Sequence, residues 1–252
     1  MTNKPYSYIA NAVLMGNPIN LIFMRKKRTI NSITKAFIRR TKVYFRSNPD
    51  KFLKKIKGVI HVGANIGQEI ALYAQYNLPV VWIEPIPEIF DTLKSNLIGF
   101  PKQIALKGLV TDLEDQEYQF NIASNNGASS SILDFNLHQD IYPDVKFEKI
   151  IILKSKTLTS LLKSNNINTV EYDTLIIDTQ GSELLVLKGA IPILKHFTYI
   201  KTEVSDFEAY KGCCQLKDLQ LFLNEHGFKE LSRHKIVTHP NGGSYYDMIF
   251  TK

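Results

Sequence analysis

Two carboxylates that could accept a proton lie at the ends of apolar runs in the sequence. Asp178 ends the run TLIID, and Glu203 lies near the end of YIKTEV. Such runs predict strands of a parallel sheet, and the carboxyl ends of these strands meet along one edge. Either carboxylate could therefore take the proton of a hydroxyl group bound there. The alternatives are an N-cap for a helix beginning near Ser182 in the case of Asp178, and an ion pair with Lys201 or Lys154 in the case of Glu203.

A glycine-containing turn earlier in the chain could hold part of a nucleotide-like ligand. The stretch GVIHVGANIGQE, residues 58–69, has the outline of a strand, a turn and a helix. It departs from the dinucleotide fingerprint GxGxxG, because the third and sixth positions counted from Gly63 are Asn65 and Gln68, which disfavours a bound pyrophosphate. What remains is a tight turn at Gly63, a close backbone approach at Gly67, and a helix N-terminus able to receive a carboxylate.

A third acidic residue, Glu84, ends the next apolar run, 21 residues after Gly63. At this spacing an acidic side chain can accept hydrogen bonds from both ribose hydroxyls of an adenosine cofactor. The alternative is an exposed glutamate at the end of a strand. The turn, the spacing and a hairpin expected at the end of the chain together favour an adenosine cofactor other than NAD.

The elements that must position these residues alternate along the chain from Gly58 onward. Strand-like runs occupy residues 58–63, 80–84, 103–110, 148–154, 174–178 and 198–204, and helix-period stretches occupy 67–77, 87–98, 157–165, 182–196 and 215–226. This alternation predicts an α/β domain with a doubly wound, mostly parallel sheet covered by helices on both faces. The turn sequence VTHPNGGS predicts a closing hairpin that puts an antiparallel strand at the edge of the sheet.

Charge divides the chain into a basic segment, residues 1–57, and a main domain, residues 58–252. The whole chain of 252 residues carries a net charge of +7, but residues 25–57 hold thirteen Lys or Arg against one acid, Asp50. With Lys4, the first 57 residues carry +13, which leaves −6 for the rest. We expect the basic segment to form a helical extension that binds an anionic glycan, an anionic membrane surface or nucleic acid. The alternative is that it forms two short helices whose charged face contacts only solvent.

Compartment and membrane association are indicated by two further features. Residues 6–24 are apolar but interrupted by Gly16 and Pro18, which disfavours a transmembrane helix and leaves an interfacial segment as an alternative. Cys213 and Cys214 are adjacent and show no zinc-ligand spacing. These features predict a cytoplasmic protein, with peripheral membrane association as an alternative.

Four stretches together resemble one known family. The stretches are HVGANIGQE, WIEPIPEIFDTLKSNL, GASSSIL and LIIDTQGSELLVLKGA, and in order and spacing they resemble the FkbM-type methyltransferases, over about residues 58–235. The resemblance implies a seven-stranded Rossmann-like sheet, S-adenosylmethionine as cofactor, and O-methylation, often of sugar hydroxyls in polysaccharides, glycolipids or natural products.

The resemblance also implies roles for particular residues. Those expected to bind the cofactor are Gly63, Ala64, Asn65 and Gly67 at the methionine part, Glu84 and Pro85 at the ribose, and Leu109, Val110 and Asp112 at the adenine. The family usually has Asp where this chain has His61, and Glu69 could replace that Asp at the ammonium group. The alternative for His61 is a strand residue whose ring is satisfied by backbone groups.

A polar loop and the two carboxylates complete the expected site. SNNGASSSIL, residues 124–133, resembles the family's serine-rich loop, whose Ser129, Ser130 and Ser131 would bind the acceptor sugar; a mobile surface loop is the alternative. A divalent ion held by Asp178, Glu203 and Asp206 is possible but not favoured.

The leading hypothesis is therefore a methyltransferase acting on a hydroxyl of a glycan or glycolipid. Nucleic-acid methylation is less favoured, because the basic residues are not interleaved with aromatic residues that could stack on bases. The third hypothesis is a domain that binds the cofactor or a glycan without catalysis, against which the presence of Asp178 and Glu203 argues.

Overall fold

The computed structural model describes residues 49–252. Residues 1–48, which hold most of the basic segment and the expected helical extension, lie outside the described residues. The described part of the basic segment begins with a 3-10 helix, Pro49–Lys54. Phe52, Leu53 and Ile56 are buried against the main domain, where they share a core cluster with Trp82.

The strands form two sheets. The described strands are β1 (Val59–Val62), β2 (Val80–Glu84), β3 (Gln103–Lys107), β4 (Leu109–Val110), β5 (Glu117–Ala123), β6 (Phe147–Lys156), β7 (Thr174–Ile177), β8 (Tyr199–Ser205), β9 (Lys229–Thr238) and β10 (Ser244–Thr251). The main sheet has seven strands in the order β3-β2-β1-β7-β8-β10-β9. Its first five strands pair in parallel, which confirms the expected mostly parallel, seven-stranded sheet.

Helices cover both faces of the main sheet, as expected for a doubly wound fold. The described α-helices are α1 (Ile70–Gln75), α2 (Pro87–Asn96), α3 (His138–Ile141), α4 (Leu158–Ser164), α5 (Glu183–Gly189) and α6 (Leu216–Glu225). Helices α4, α5 and α6 pack in one core cluster with Ile60, Val62 and Leu175 of the sheet. Helices α1 and α2 pack in a second cluster with Val59, Val80 and neighbouring residues. Successive residues of a strand point to opposite faces of the sheet, so one strand contributes side chains to both clusters.

The closing hairpin forms, but its place in the sheet differs from the expectation. Strand β10 is antiparallel to both β8 and β9. The antiparallel strand therefore lies one position in from the edge, and β9 is the edge strand. Nearly all of β9 is exposed, and its pairing with β10 shifts register at two places, between Tyr245 and Tyr246 and between Ile249 and Phe250.

Two expected strands belong partly or wholly to a second sheet of three strands, in the order β4-β6-β5. The run 103–110 breaks at Gly108, so that β3 stays in the main sheet while β4 pairs with β6. The run 148–154 forms β6 and pairs with β5, a strand that the apolar runs did not predict. Strand β5 contains no continuous apolar run, because Gln119 and Asn121 separate its apolar residues.

Two expected helices are shorter than the helix-period stretches 67–77 and 182–196 that predicted them. Helix α1 begins only at Ile70, because Gly63, Asn65 and Gly67 all have positive φ angles and extend the turn. The stretch 182–196 divides into α5 and a 3-10 helix, Ile191–His196, which has a proline at its start. Proline cannot donate the backbone hydrogen bond that would continue α5.

Candidate active site

A cavity of about 230 Å³ opens where β1, β2 and β7 end. This is the carboxyl edge of the parallel strands, at which doubly wound sheets bind ligands. Eight of the ten residues expected to bind a cofactor line the cavity: Gly63, Ala64, Asn65, Glu69, Glu84, Pro85, Leu109 and Val110. Among the carboxylates proposed for proton transfer, Asp178 lines it as well.

The glycine turn forms the floor of the cavity. The backbone N–H groups of Gly63 and Ala64 both donate to the carbonyl of Ile83, each over 3.0 Å. Gly63 has φ +83°, and a Cβ built on it would overlap the backbone carbonyl of Asp178. A side chain is therefore excluded at Gly63 by conformation and by space, and the ends of β1 and β7 come into direct contact.

Glu84 lies next to this turn and is buried. Its two carboxylate oxygens accept the backbone N–H groups of Asn65, over 2.8 Å, and Ile86, over 2.9 Å. Burial raises the pKa of Glu84 to about 7, and the two backbone hydrogen bonds act against that rise. Each carboxylate oxygen can accept more than one hydrogen bond, so the group can receive further donors from the cavity.

His61 and Glu69, the two residues considered at the position of the family's Asp, both line the cavity. His61 stacks on Trp82, with ring centroids 4.9 Å apart, and its Nδ1 lies 3.2 Å from the hydroxyl of Tyr73. The expectation that backbone groups satisfy this ring is wrong, because its partner is a side chain. Burial, and next the charge of Lys201, lower the pKa of His61 to about 3, so the ring is neutral. Glu69 also lines the cavity, and burial raises the pKa of its carboxyl group.

An apolar slot lies on the other side of Glu84. Ile86, Leu109 and Phe120 form one buried cluster, and all three line the cavity. Sequence reasoning missed Phe120, because it lies on the unpredicted strand β5. A flat apolar group could fit between such side chains. Gly67 and Asp112, two of the expected cofactor residues, do not line the cavity; Gly67 is packed close to Ile70 and Leu93.

Asp178 follows the last residue of β7, and its backbone N–H donates to the carbonyl of Val62 over 2.9 Å. Burial raises the pKa of its carboxyl group to about 6, while a hydrogen bond from Gln180 acts in the opposite direction. The N-cap alternative for Asp178 is wrong. The carboxylate of Glu183 instead accepts the N–H groups of Thr179 and Gly181 at the start of α5.

Glu203 lies one strand away from Asp178 and does not line the cavity. It lines a narrow cleft of about 10 Å³, together with Gln180, Tyr210 and eight other residues. Burial, followed by the charges of Asp178 and Glu183, raises the pKa of Glu203 well above its usual value. A catalytic role for Glu203 stays a prediction.

The two lysines considered as partners of Glu203 have other partners. Lys201 forms ion pairs with Asp50, at 3.4 Å, and Asp247, at 3.2 Å. Lys154 lies 4.0 Å from Glu117. The ion pair of Lys201 connects the first described residues to strands β8 and β10.

The three serines of the polar loop are buried, and much of their hydrogen bonding is used within the protein. Ser129 Oγ accepts from the Asn125 amide, Ser130 Oγ accepts the N–H of Ala123, and Ser131 Oγ donates to the carbonyl of Gln180. Ser130 lines the cavity, but Ser129 and Ser131 do not. The loop does border the cavity through Gly127 and Ala128.

The structure does not bring Asp206 to the other two carboxylates of the suggested ion site. Its carboxylate accepts the N–H of Ser244, over 2.6 Å, and the hydroxyl of Tyr246, over 3.0 Å. Within residues 49–252 there is no group of three or more His, Cys, Asp or Glu arranged to hold a metal ion.

The family follows from a match over most of the described chain. A model of the methyltransferase FkbM domain matches residues 61–230. The chain belongs to the FkbM methyltransferase family. This confirms the resemblance carried by the glycine turn and the DTQGSELLVLKGA stretch, and it makes the cavity the candidate site of methyl transfer. A search of curated proteins finds no match.

Solved methyltransferase structures are also similar to this FkbM chain. One is an O-methyltransferase from Bacillus cereus in complex with SAH, at 13% identity and TM-score 0.46, covering 89% of this chain and 94% of that one. Another is magnesium protoporphyrin IX methyltransferase from Synechocystis with bound SAM, at 13% identity and TM-score 0.42, covering 90% and 86%. A third is a putative RNA methyltransferase from Pyrococcus horikoshii, at 13% identity and TM-score 0.43, covering 85% and 81%.

None of the helices in residues 49–252 is long and apolar enough to cross a membrane.

Proposed function

We propose that this FkbM methyltransferase transfers a methyl group from S-adenosylmethionine to a hydroxyl group of a sugar in a glycan, polysaccharide or glycolipid. The observation that carries the proposal is that Asp178, a carboxylate with a pKa near neutrality, shares one cavity with the glycine turn and Glu84. A proton acceptor and a nucleoside-binding carboxylate in one cavity are what methylation of a hydroxyl requires.

The cavity residues fit this cofactor chemically. Within residues 49–252 no cation lies beside the buried carboxylate of Glu84, and its hydrogen bonds come from the backbone N–H groups of Asn65 and Ile86. A ribose diol supplies neutral O–H donors, which suit such a carboxylate better than an anionic phosphate does. Ile86, Leu109 and Phe120 offer an apolar slot for the adenine ring, and Glu69 offers a negative charge for the ammonium group.

Asp178 would act as the general base. When bound, S-adenosylmethionine supplies a methyl group on a positively charged sulfur. The glycine turn, Glu69 and Glu84 would hold it so that this methyl group passes to the acceptor oxygen, and the electron pair of the broken carbon–sulfur bond would stay on sulfur. Asp178 takes the proton of the acceptor hydroxyl, and this general-base step contributes about a hundredfold or more.

The acceptor class is supported by two features of the chain. The loop 124–133 borders the cavity through Gly127, Ala128 and Ser130, where backbone groups and the Ser130 hydroxyl could bind a sugar. The basic segment, residues 1–57, carries +13 and favours an anionic acceptor or a membrane surface that presents one.

The deciding experiment is methyl transfer from labelled S-adenosylmethionine to a panel of cell-surface polysaccharides, glycolipids and RNA. Label in the carbohydrate fractions, resistant to nuclease, supports the proposal. Label in RNA alone replaces it with nucleic-acid methylation, and cofactor binding without label in any fraction indicates a binding domain. A parallel reaction with a chelator tests for a divalent ion, because loss of transfer would assign the activation of the hydroxyl to a metal and not to Asp178.

A further inference from the structure

Gln180 occupies an unusual place between the cavity and the narrow cleft. It lies in the turn that joins β7 to α5 and, among the described residues, it alone lines both spaces. Its φ angle is +54°, in the left-handed region that residues other than glycine seldom adopt. Backbone strain of this kind persists where the surrounding structure holds it, which happens often at functional sites.

Three hydrogen bonds hold Gln180 in this conformation. Its backbone carbonyl accepts the hydroxyl of Ser131 over 2.8 Å. Its side-chain oxygen accepts the hydroxyl of Tyr210, also over 2.8 Å. Its side-chain NH₂ group donates to Oδ1 of Asp178 over 2.6 Å. The residue is therefore fixed from the serine loop, from the buried Tyr210 and from the carboxylate in the cavity.

The chemistry of its neighbours gives the amide one orientation. An ionised carboxylate only accepts hydrogen bonds, so the NH₂ end must face Asp178. The hydroxyl of Tyr210 has one proton and two acceptors within reach, the side-chain oxygen of Gln180 at 2.8 Å and the carbonyl of Ser129 at 3.3 Å, and the shorter contact is the one to Gln180. Turning the amide over would place its oxygen against the Asp178 carboxylate and its NH₂ group against the tyrosine. Tyr210 therefore stabilises the orientation in which Gln180 donates to Asp178.

This donor acts against the effect of burial on Asp178. Burial favours the neutral acid, and the nearby charge of Glu69 adds to that effect. A hydrogen bond to the carboxylate favours the ionised form, and charge-assisted bonds are the strong ones. Because Gln180 binds Oδ1, it also restricts rotation of the Asp178 carboxylate.

We propose that Gln180 is a positioning residue, held by Tyr210, which keeps Asp178 ionised and oriented to accept the proton of the acceptor hydroxyl. The inference rests on the proposed function of Asp178, and it adds a specific role for the Tyr210–Gln180–Asp178 chain of hydrogen bonds. Ser131 then has a structural role: its hydroxyl anchors Gln180 and does not contact the acceptor directly.

The test is a direct titration of Asp178, which needs no acceptor. Full-length protein is labelled with ¹³C at aspartate carboxyl carbons, and the Asp178 resonance is assigned from its loss in Asp178→Asn. Gln180→Met keeps the length of the side chain but removes the donor, so we expect the midpoint of the Asp178 titration to rise by about one to two pH units. Tyr210→Phe should raise it by less, because the amide is then free to turn.

Controls separate this role from general damage to the site. Tyr246→Phe removes a tyrosine hydrogen bond to a carboxylate away from the cavity, that to Asp206, and should leave the Asp178 titration unchanged. The double variant Gln180→Met with Tyr210→Phe should shift the midpoint no further than Gln180→Met alone, because both changes remove the same donor. If Gln180→Met fails to fold, Tyr210→Phe still tests the chain.

An Asp178 midpoint that stays in place in both single variants would overturn the inference. This result would leave the proposed function standing, because cofactor binding and labelled methyl transfer are measured separately. Conversely, the absence of methyl transfer with a shifted midpoint would overturn the proposed function and leave the effect of Gln180 on Asp178 established.

Discussion

The glycine turn and the Asp178 turn line the same cavity and follow neighbouring parallel strands, but different kinds of contact hold them. In the glycine turn, the N–H of Asn65 donates to Glu84, 19 positions along the chain. In the Asp178 turn, the partners of Gln180 are Tyr210 and Ser131, 30 and 49 positions away. One strand–helix–strand unit therefore builds the first turn, while the second needs the serine loop and the segment after β8.

The two regions are in direct contact where the backbone at Gly63 touches the backbone of Asp178. The glycine turn also contacts the serine loop, since the side-chain amide of Asn65 donates to the carbonyl of Asn126 over 3.0 Å. Cofactor binding should therefore depend on a few residues that are close in sequence, whereas proton transfer should depend on many residues that are distant in sequence. Variants that act on one region alone, or on the contact between the two, can test this.

The largest effect is expected from a substitution at the contact between Gly63 and Asp178. Gly63→Ala should lower the free energy of unfolding by about 2–5 kcal/mol, because the residue needs positive φ and its methyl group would overlap Asp178. Gly99→Ala is the matched control, since Gly99 has φ +94° and nothing within 4 Å of its added Cβ. That change should cost only about 1–2 kcal/mol. Equal losses in chemical denaturation would mean that the close approach is unimportant.

The next largest effect is expected in the Asp178 turn. Asp178→Asn keeps the shape of the side chain but cannot take a proton, so methyl transfer should slow by about a hundredfold or more. Binding of S-adenosylhomocysteine, measured by calorimetry, should stay close to that of the wild type. If this variant lost cofactor binding together with activity, cofactor binding and proton transfer would not be separate functions of the two turns.

Within the glycine turn, Glu84→Ala should weaken cofactor binding by about 1.5–3 kcal/mol, the contribution of hydrogen bonds to a charged group. Glu88→Ala provides the control, because this exposed glutamate forms a surface ion pair with Lys149 and does not line the cavity. Calorimetry should show an affinity change for Glu84→Ala alone. An unchanged dissociation constant would remove Glu84 from the site.

The smallest effect is a pH dependence of cofactor affinity. Ribose hydroxyls donate to the ionised form of Glu84, whose pKa of about 7 reflects its burial. Below that pH a proton must leave before the cofactor binds, so affinity should fall by about tenfold per pH unit and stay level above it. Glu84→Gln should bind more weakly but without this slope between pH 5 and 8. A slope that survives in Glu84→Gln belongs to another group.

The difference between the regions also explains what the sequence could predict. The glycine turn, Glu84 and its spacing were predictable, because local chain geometry fixes them within one strand–helix–strand unit. The parallel sheet and the closing hairpin were predictable from apolar runs and turn residues for the same reason. The end of β7 was likewise predictable, which is why Asp178 was identified as a candidate base.

The remaining features depend on contacts between distant segments. Strand β5 forms no continuous apolar run, because polar residues separate Tyr118, Phe120 and Ile122, and only its pairing with β6 in the second sheet fixes the position of Phe120. The role of Gln180 depends on Tyr210 and Ser131, which only the folded chain brings together. Glu203 likewise lies in a cleft lined by residues of the segment after β8, among them Ala209 and Tyr210.

Strand β9 has a consequence for association between molecules. A long exposed edge strand is a template on which a second chain can add, and proteins commonly oppose this with charge and with irregular pairing. Within the described chain, β9 pairs only with β10, and it carries Lys229, Arg233 and Lys235. Its pairing with β10 also has two register shifts, and irregularities of this kind generally bend a strand away from a flat edge. The open side of the sheet is thus a poor nucleus for aggregation.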